Sequence, residues 1–351
     1  MRNTVLSAVF LVLGSTAALA APKRDRSWTD CISDVASTSI RGCTEVLARG
    51  GREAEQTRGN AHYNRGIEYA GMGRNDEALA DFKAAAALRP DWGRPNVQMA
   101  LLYRKLKKPD LAFAEINNAI ARDPNVEDGY YFRADMLDDR GEYEEALSDV
   151  NRAIQLNPAD PMAYNLRGVI ENRMRKFTRA IRNFNVGLQL EPRKGVIYSN
   201  RAWSFAQMGE LELSLSDYDY AIQLAADQPH VLNGRGIVHS RMGNVDLALA
   251  DFNRALRVDP KFRQARENRV DMLLRKKDCK TALPELDALI AEESKAVLLA
   301  FRGTCQGAIG NAAAALLDFN AALSQEPRMA LAVSGQHKAE EMLTGKPQAT
   351  F

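Results

Sequence analysis

The stretch Gly59 to Trp92, GNAHYNRGIEYAGMGRNDEALADFKAAAALRPDW, is the unit from which most of this chain is copied. It carries Gly66, Tyr69, Ala78, Phe82, Ala85 and Pro90, and moving the frame by 34 residues recovers the same kinds of residue. The frame restarts at Gly93, Glu127, Pro161, Gly195, Pro229 and Arg263, then one residue early at Ala296. Gly66 returns as Ala100, Ala134, Gly168, Ala202, Gly236 and Gly303. Phe82 returns as Phe184, Tyr218, Phe252 and Phe319, with Ile116, Val150 and Leu286 elsewhere. A fixed period of this kind marks a solenoid of stacked supersecondary units.

Within a copy the apolar positions fall at helical spacing in two runs, Tyr63, Ile67, Ala70 and then Ala78, Leu79, Phe82, Ala85, so each copy reads as two antiparallel helices. Glycine is expected to close the first helix at Gly73, Gly141, Gly209, Gly243 and Gly310. Asn244, Asp278 and Asn311 are candidate N-caps for the second. Proline at 90, 124, 158, 192, 260 and 327 stops it. Pro284 lies inside the second helix of the seventh copy, and we expect that helix to start late, capped by Thr281 rather than Asp278, which makes the proline tolerable. Small residues of the Gly66 and Ala78 type let two backbones approach, and the Phe82-type ring fills the space beside them.

These residues resemble the tetratricopeptide repeat family, whose pattern runs W-x2-L-G-x2-Y, A-x3-F, P in 34 residues. The resemblance covers Gly59 to about Met329. It departs from the family at the tryptophan position, which holds His62, Asn96, Tyr130, Tyr164, Tyr198, Leu232, Arg266 and Leu299. It departs again at the leucine position, mostly arginine: Arg65, Arg133, Arg167, Arg201, Arg235, Arg269 and Arg302. The resemblance implies an all-α, right-handed α-solenoid of about eight helix hairpins. The copies are 59–92, 93–126, 127–160, 161–194, 195–228, 229–262, 263–295 and 296–329.

Around this array, residues 1–20 read as a cleaved secretory signal: Arg2, the apolar run Val5 to Leu13, and Ala18-Leu19-Ala20. An uncleaved membrane anchor is the alternative. Residues 21–58 form an N-terminal helical cap and a polar connector over Gly50 to Gly59. In residues 330–351 Leu331, Gly335, Ala339, Met342 and Leu343 suggest a capping helix before a short tail. Four cysteines in an exported chain favour two disulfides, Cys31 with Cys43 and Cys279 with Cys305, against buried free thiols for the second pair. Neither pair has metal-ligand spacing, so no metal and no cofactor is expected. The expected location is periplasmic or secreted.

With 47 Lys and Arg against 45 Asp and Glu in 351 residues, the charge of +2 offers no general field for nucleic acid. An acid follows most of the recurrent arginines sixteen residues on: Asp81, Asp149, Asp217, Asp251, Glu285 and Asp318. We expect a ladder of arginine–carboxylate pairs, within or between copies, in preference to an anion groove. Asn183 breaks the series opposite Arg167, leaving that arginine the most available.

In the family, ligands lie along the concave face made by the first helices. Carried over by position, this face holds Arg94, Arg104 and Lys105, then Asp128, Tyr131, Asp135, Asp138 and Asp139. Asn165, Asn172, Arg173, Trp203, Gln207, Asn233 and Arg241 follow. It suits an extended peptide or partner helix, with amides bonding backbone and Trp203 as an anchor, and an ordinary solvated face is the bland reading of each residue. No catalytic signature is present and His62, His230, His239 and His337 are scattered. A non-catalytic protein-binding scaffold is the first expectation. A groove enzyme or enzyme-associated subunit using Asp135, Asp138 and Asp139 is the second; RNA binding, which wants a basic groove, is the third.

Overall fold

The computed structural model describes residues 26–225 and 227–345, so the expected signal and the last residues of the tail lie outside it. The described residues form nineteen α-helices and one 3-10 turn, with no strand among them. The chain divides into two units at Arg133/Ala134, inside α7 (Glu127–Asp139).

The first unit opens with α1 (Arg26–Cys31) and α2 (Ala36–Ala48), joined by the Cys31–Cys43 disulfide with Cα atoms 4.4 Å apart. The two helices touch at Gly42, where an added Cβ would stand 2.4 Å from the backbone nitrogen of Cys31. The stretch expected as a plain connector is partly helical: a 3-10 turn spans Gly50–Arg52, and α3 (Glu55–Gly71) starts four residues before Gly59. Then come α4 (Asn75–Leu88), α5 (Arg94–Lys105), α6 (Pro109–Arg122) and the start of α7. The second unit continues with α8 (Tyr143–Leu156), α9 (Pro161–Arg173), α10 (Phe177–Leu190), α11 (Gly195–Met208), α12 (Leu211–Leu224) and α13 (Pro229–Arg241). It ends with α14 (Val245–Val258), α15 (Arg263–Arg275), α16 (Cys279–Glu292), α17 (Ala296–Ala308), α18 (Ala312–Gln325) and α19 (Ala330–Thr344). In each unit helices pack on their sequence neighbours, hairpin after hairpin, which is the α-solenoid arrangement.

The hairpin turns follow from the backbone. Gly73, Gly141, Gly209, Gly243 and Gly310 have φ between 76° and 88°, the left-handed region where a Cβ is a burden. Copies without glycine there use Lys107, Arg175 and Lys277 in the same conformation, with φ of 58°, 59° and 58°. Between the helices of a hairpin the small residue faces the ring. A Cβ on Gly168 would lie 2.5 Å from Phe184, and Gly66, Gly236 and Gly303 stand likewise against Phe82, Phe252 and Phe319.

Asp278 and Asn311 cap α16 and α18 by accepting from the N–H groups of Thr281 and Ala314, while Asn244 holds its cap position without a side-chain bond. The start of α16 is therefore the earlier one. Pro284 lies at its sixth residue, in the interior, and leaves the carbonyl of Lys280 without its helical N–H. Both residues are exposed, so water can serve that carbonyl. Cys279 is bonded to Cys305, with Cα atoms 5.0 Å apart, and ties α16 to α17.

The arginine ladder forms at Arg65, Arg201, Arg235, Arg269 and Arg302, and each of these rungs has two sides. Arg65, Arg201, Arg235 and Arg302 grip Asp81, Asp217, Asp251 and Asp318 through Nε and Nη2 at 2.6–2.9 Å. Their Nη1 groups reach back to the preceding hairpin: Arg65 to Thr44 (3.0 Å), Arg201 to Asn185 (2.6 Å), Arg235 to Asp219 (2.6 Å) and Arg302 to Asp287 (2.8 Å). Arg167 is not left available. Its Nε donates to Asn183 and its Nη1 to Asn151, both at 2.8 Å, and Asn183 Nδ2 in turn donates to Glu171 Oε2 at 2.7 Å. In α19 Gln336 takes the arginine's place and donates to Asn320 at 2.7 Å. α19 buries Ala332 and Ala339 and sets Gly335 on the Phe319 ring, but Leu331, Met342 and Leu343, expected on its covered face, remain exposed.

Candidate functional site

In the first unit Arg94, Arg104 and Lys105 on α5 are exposed, and Asp128 and Tyr131 on α7 are half-buried. Tyr63 on α3 joins them. Its hydroxyl is raised by burial, lowered by Arg94 and raised again by Asp128, so these three side chains share one field.

In the second unit Asp135 is half-buried, Asp139 is exposed and Asp138 is 3% exposed. Arg173 reaches across from α9 and places its Nε 2.9 Å from Asp138 Oδ2. The other carboxylate oxygen, Oδ1, is buried without a hydrogen bond. Burial pushes the Asp138 carboxyl up to about 6; Arg173 opposes this, and Asp139 and Asp135 add to it.

The amides expected to meet a partner's backbone are turned to the next hairpin instead. Asn165 accepts from Asn200 Nδ2, Asn172 from Ser204 Oγ and Asn233 from Asn268 Nδ2, each at 2.9 Å, and all three asparagines are buried. An unpaired amide between packed helices would cost about 1–3 kcal/mol, so pairing along the stack wins over waiting for a ligand. Arg241 likewise donates its Nη1 to the carbonyl of Ala206.

Trp203 is the expected aromatic anchor, and it stays open. It is 42% exposed, and its ring meets Phe177 edge-on at 5.8 Å. Two neighbours outside the expected set lie on the same repeat positions, the second and the ninth. Val196 lies seven residues before Trp203 on α11, and Ile237 occupies on α13 the place Trp203 has on α11; both are exposed. Ile237 follows Trp203 by one 34-residue period and Val196 precedes Trp203 by two helical turns on the same helix, and that apolar spacing is the signal that could have found them. Val196, Trp203 and Ile237 give these first helices an apolar, water-facing strip.

The tetratricopeptide repeat model matches residues 96–334, and a second model of the same description matches 59–92. The chain belongs to the tetratricopeptide repeat family. Among solved structures, this tetratricopeptide repeat protein is similar to Pseudomonas aeruginosa PilF, at 19% identity over 62% of this chain and 100% of that one, TM-score 0.55. It is similar to PilW, a widely conserved type IV pilus biogenesis factor, at 19% identity over 60% of this chain and 97% of that one, TM-score 0.55. A tetratricopeptide repeat protein from Parabacteroides merdae matches at 17% over 71% and 98%, TM-score 0.50. At these identities the likeness is one of fold. No curated protein matches the chain.

In general terms a tetratricopeptide repeat protein is a scaffold for protein–protein interaction. Among the described residues no cluster of His, Cys, Asp and Glu is placed to hold a metal ion, and no helix is long and apolar enough to cross a membrane. The two disulfides fit an oxidising compartment.

Proposed function

We propose that the protein is a non-catalytic scaffold of the periplasm that holds an extended peptide or a partner helix against its first helices. The observation that carries this reading is the water-facing strip of Val196, Trp203 and Ile237, which a folded chain has no internal reason to leave open at successive hairpins. Arg173 and Asp139 stand on the same series of first helices and would set orientation. The buried asparagines hold the face rigid rather than contacting the partner.

Affinity capture from periplasmic extract with residues 21–351 tests it. Trp203→Ala is expected to lose the captured protein by about tenfold or more, as truncation of an aromatic anchor does. Asp138→Lys/Asp139→Lys should lose it as well. Recovery of the same proteins by wild type and both variants would exclude this face.

The enzyme reading keeps one observation in its favour, the raised carboxyl of Asp138 beside a half-exposed arginine. Loss of a measurable activity in Asp138→Asn with partner capture intact would favour it.

A further inference from the structure

Among the described residues, large apolar side chains are exposed at the first and the last helices, where a solenoid needs a polar surface. At the first end, the turn Ile32-Ser33-Asp34-Val35 between α1 and α2 leaves Ile32 48% and Val35 58% exposed, with the exposed carboxylate of Asp34 between them. This turn is braced. Cys31 at its base is bonded to Cys43, the Ser33 N–H donates to the carbonyl of Asp30 (3.0 Å), and the Val35 N–H donates to Ser33 Oγ (3.2 Å).

At the other end a cleft of about 320 Å³ runs between α17 and α19. Phe319 forms its floor. The α17 wall carries Gly303 and Gly307, which leave the cleft wide, and the α19 wall carries Leu331 and Met342. Lys338 is the charged residue of its lining and makes no ion pair among the described residues.

We propose that the Ile32–Val35 turn of one copy seats in the α17–α19 cleft of a second copy, with Ile32 and Val35 against the Phe319 floor and Asp34 paired to Lys338. The turn is an apolar knob with Asp34 at its centre and borders a recess against Tyr63, Ile67 and Glu68 of α3, and the hole is apolar with one positive charge on its wall. Ile and Val are stiff at χ1 and the turn is fixed at both ends, so seating them costs little ordering entropy. The contact joins unlike surfaces, so each copy offers one knob and one hole and the association can repeat head to tail. A contact this small belongs with weak, reversible associations.

Sedimentation equilibrium of the purified protein over a concentration series tests it, with circular dichroism confirming that each variant is folded. The wild type is expected to gain mass with concentration below about 0.1 mM. Asp34→Lys alone and Lys338→Asp alone should each weaken association by about tenfold or more, because each sets like charges in the contact. A one-to-one mixture of the two variants should associate again, since the lysine turn of one then meets the aspartate cleft of the other. A wild type monomeric at that concentration, single variants that associate unchanged, or a mixture that stays monomeric would each overturn the proposal.

Discussion

Gly168 shows how closely single side chains are fitted. A methyl group there would stand 2.5 Å from Phe184 Cε1, and the pairing has a rule within the chain. Glycine faces phenylalanine in the pairs Gly66–Phe82, Gly168–Phe184, Gly236–Phe252 and Gly303–Phe319, whereas alanine stands where the partner is aliphatic, Ala100 with Ile116 and Ala134 with Val150. Tyr218 opposite Ala202 is the variation, and it presses its hydroxyl on Gly234 instead. Gly168→Ala is therefore expected to lose about 1–3 kcal/mol by overpacking, and Phe184→Ile in the same chain to recover part of it. A urea titration of the two singles and the double reads the coupling; additive effects would show that the ring yields.

Asp138 makes a second prediction at this scale. Its folded carboxyl sits at about 6, above an unfolded value near 3.9, so between these the folded chain holds the extra proton. Stability therefore falls as pH rises through that window. Asp138→Asn should remove the slope and leave the protein equally stable or about 1 kcal/mol more stable at pH 7, allowing for screening by water at the half-exposed Arg173. Thermal melts at pH 4.5 and 7 check both signs. The carboxylates of the ladder were readable because their interval from arginine never changes. The capture of Asn165, Asn172 and Asn233 was not, because their partners lie in the next hairpin and the same letters describe a waiting ligand site.

Among the elements, helix pairing was legible from periodicity, while two local features needed the backbone. Nothing in the letters Lys107, Arg175 and Lys277 announces a left-handed residue, since the turn geometry is imposed by the hairpins it joins. The start of α16 was misjudged for a related reason. The Asp278 cap and the packing of Cys279 and Ala282 outweigh an exposed proline's missing hydrogen bond. The strongest tie between elements is the two-sided arginine. Arg235 holds Asp251 on α14 and Asp219 on α12, so Arg235→Ala strands one buried carboxylate and cuts a link between hairpins. A loss of roughly 3 kcal/mol is expected by urea denaturation. Replacing the buried pair together, Arg235→Met with Asp251→Leu, should cost much less, and equal losses would mean that the link to Asp219 carries the effect.

For the molecule as a whole, the 34-residue interval was sufficient to state the fold class, and the family match agrees with it. Exposure at its ends was not readable: Leu331, Met342 and Leu343 have the spacing of a covered face, yet α19 is held through Ala332, Ala339 and Gly335. The disulfides act at this scale by limiting the unfolded chain. Cys31→Ser/Cys43→Ser is expected to lower stability by about 3 kcal/mol, and the loss should be confined to amide protection in α1 to α3 because stacked repeats unfold locally. Loss of protection throughout the chain would refute that confinement. The double grip of the arginines has a mechanical consequence. When one hairpin melts, the guanidinium it withdraws releases acceptors in its neighbour, such as Asp219 and Asp287, that are more than half exposed and pass to water. Pulled from its two termini, such a chain is therefore expected to give way one hairpin at a time.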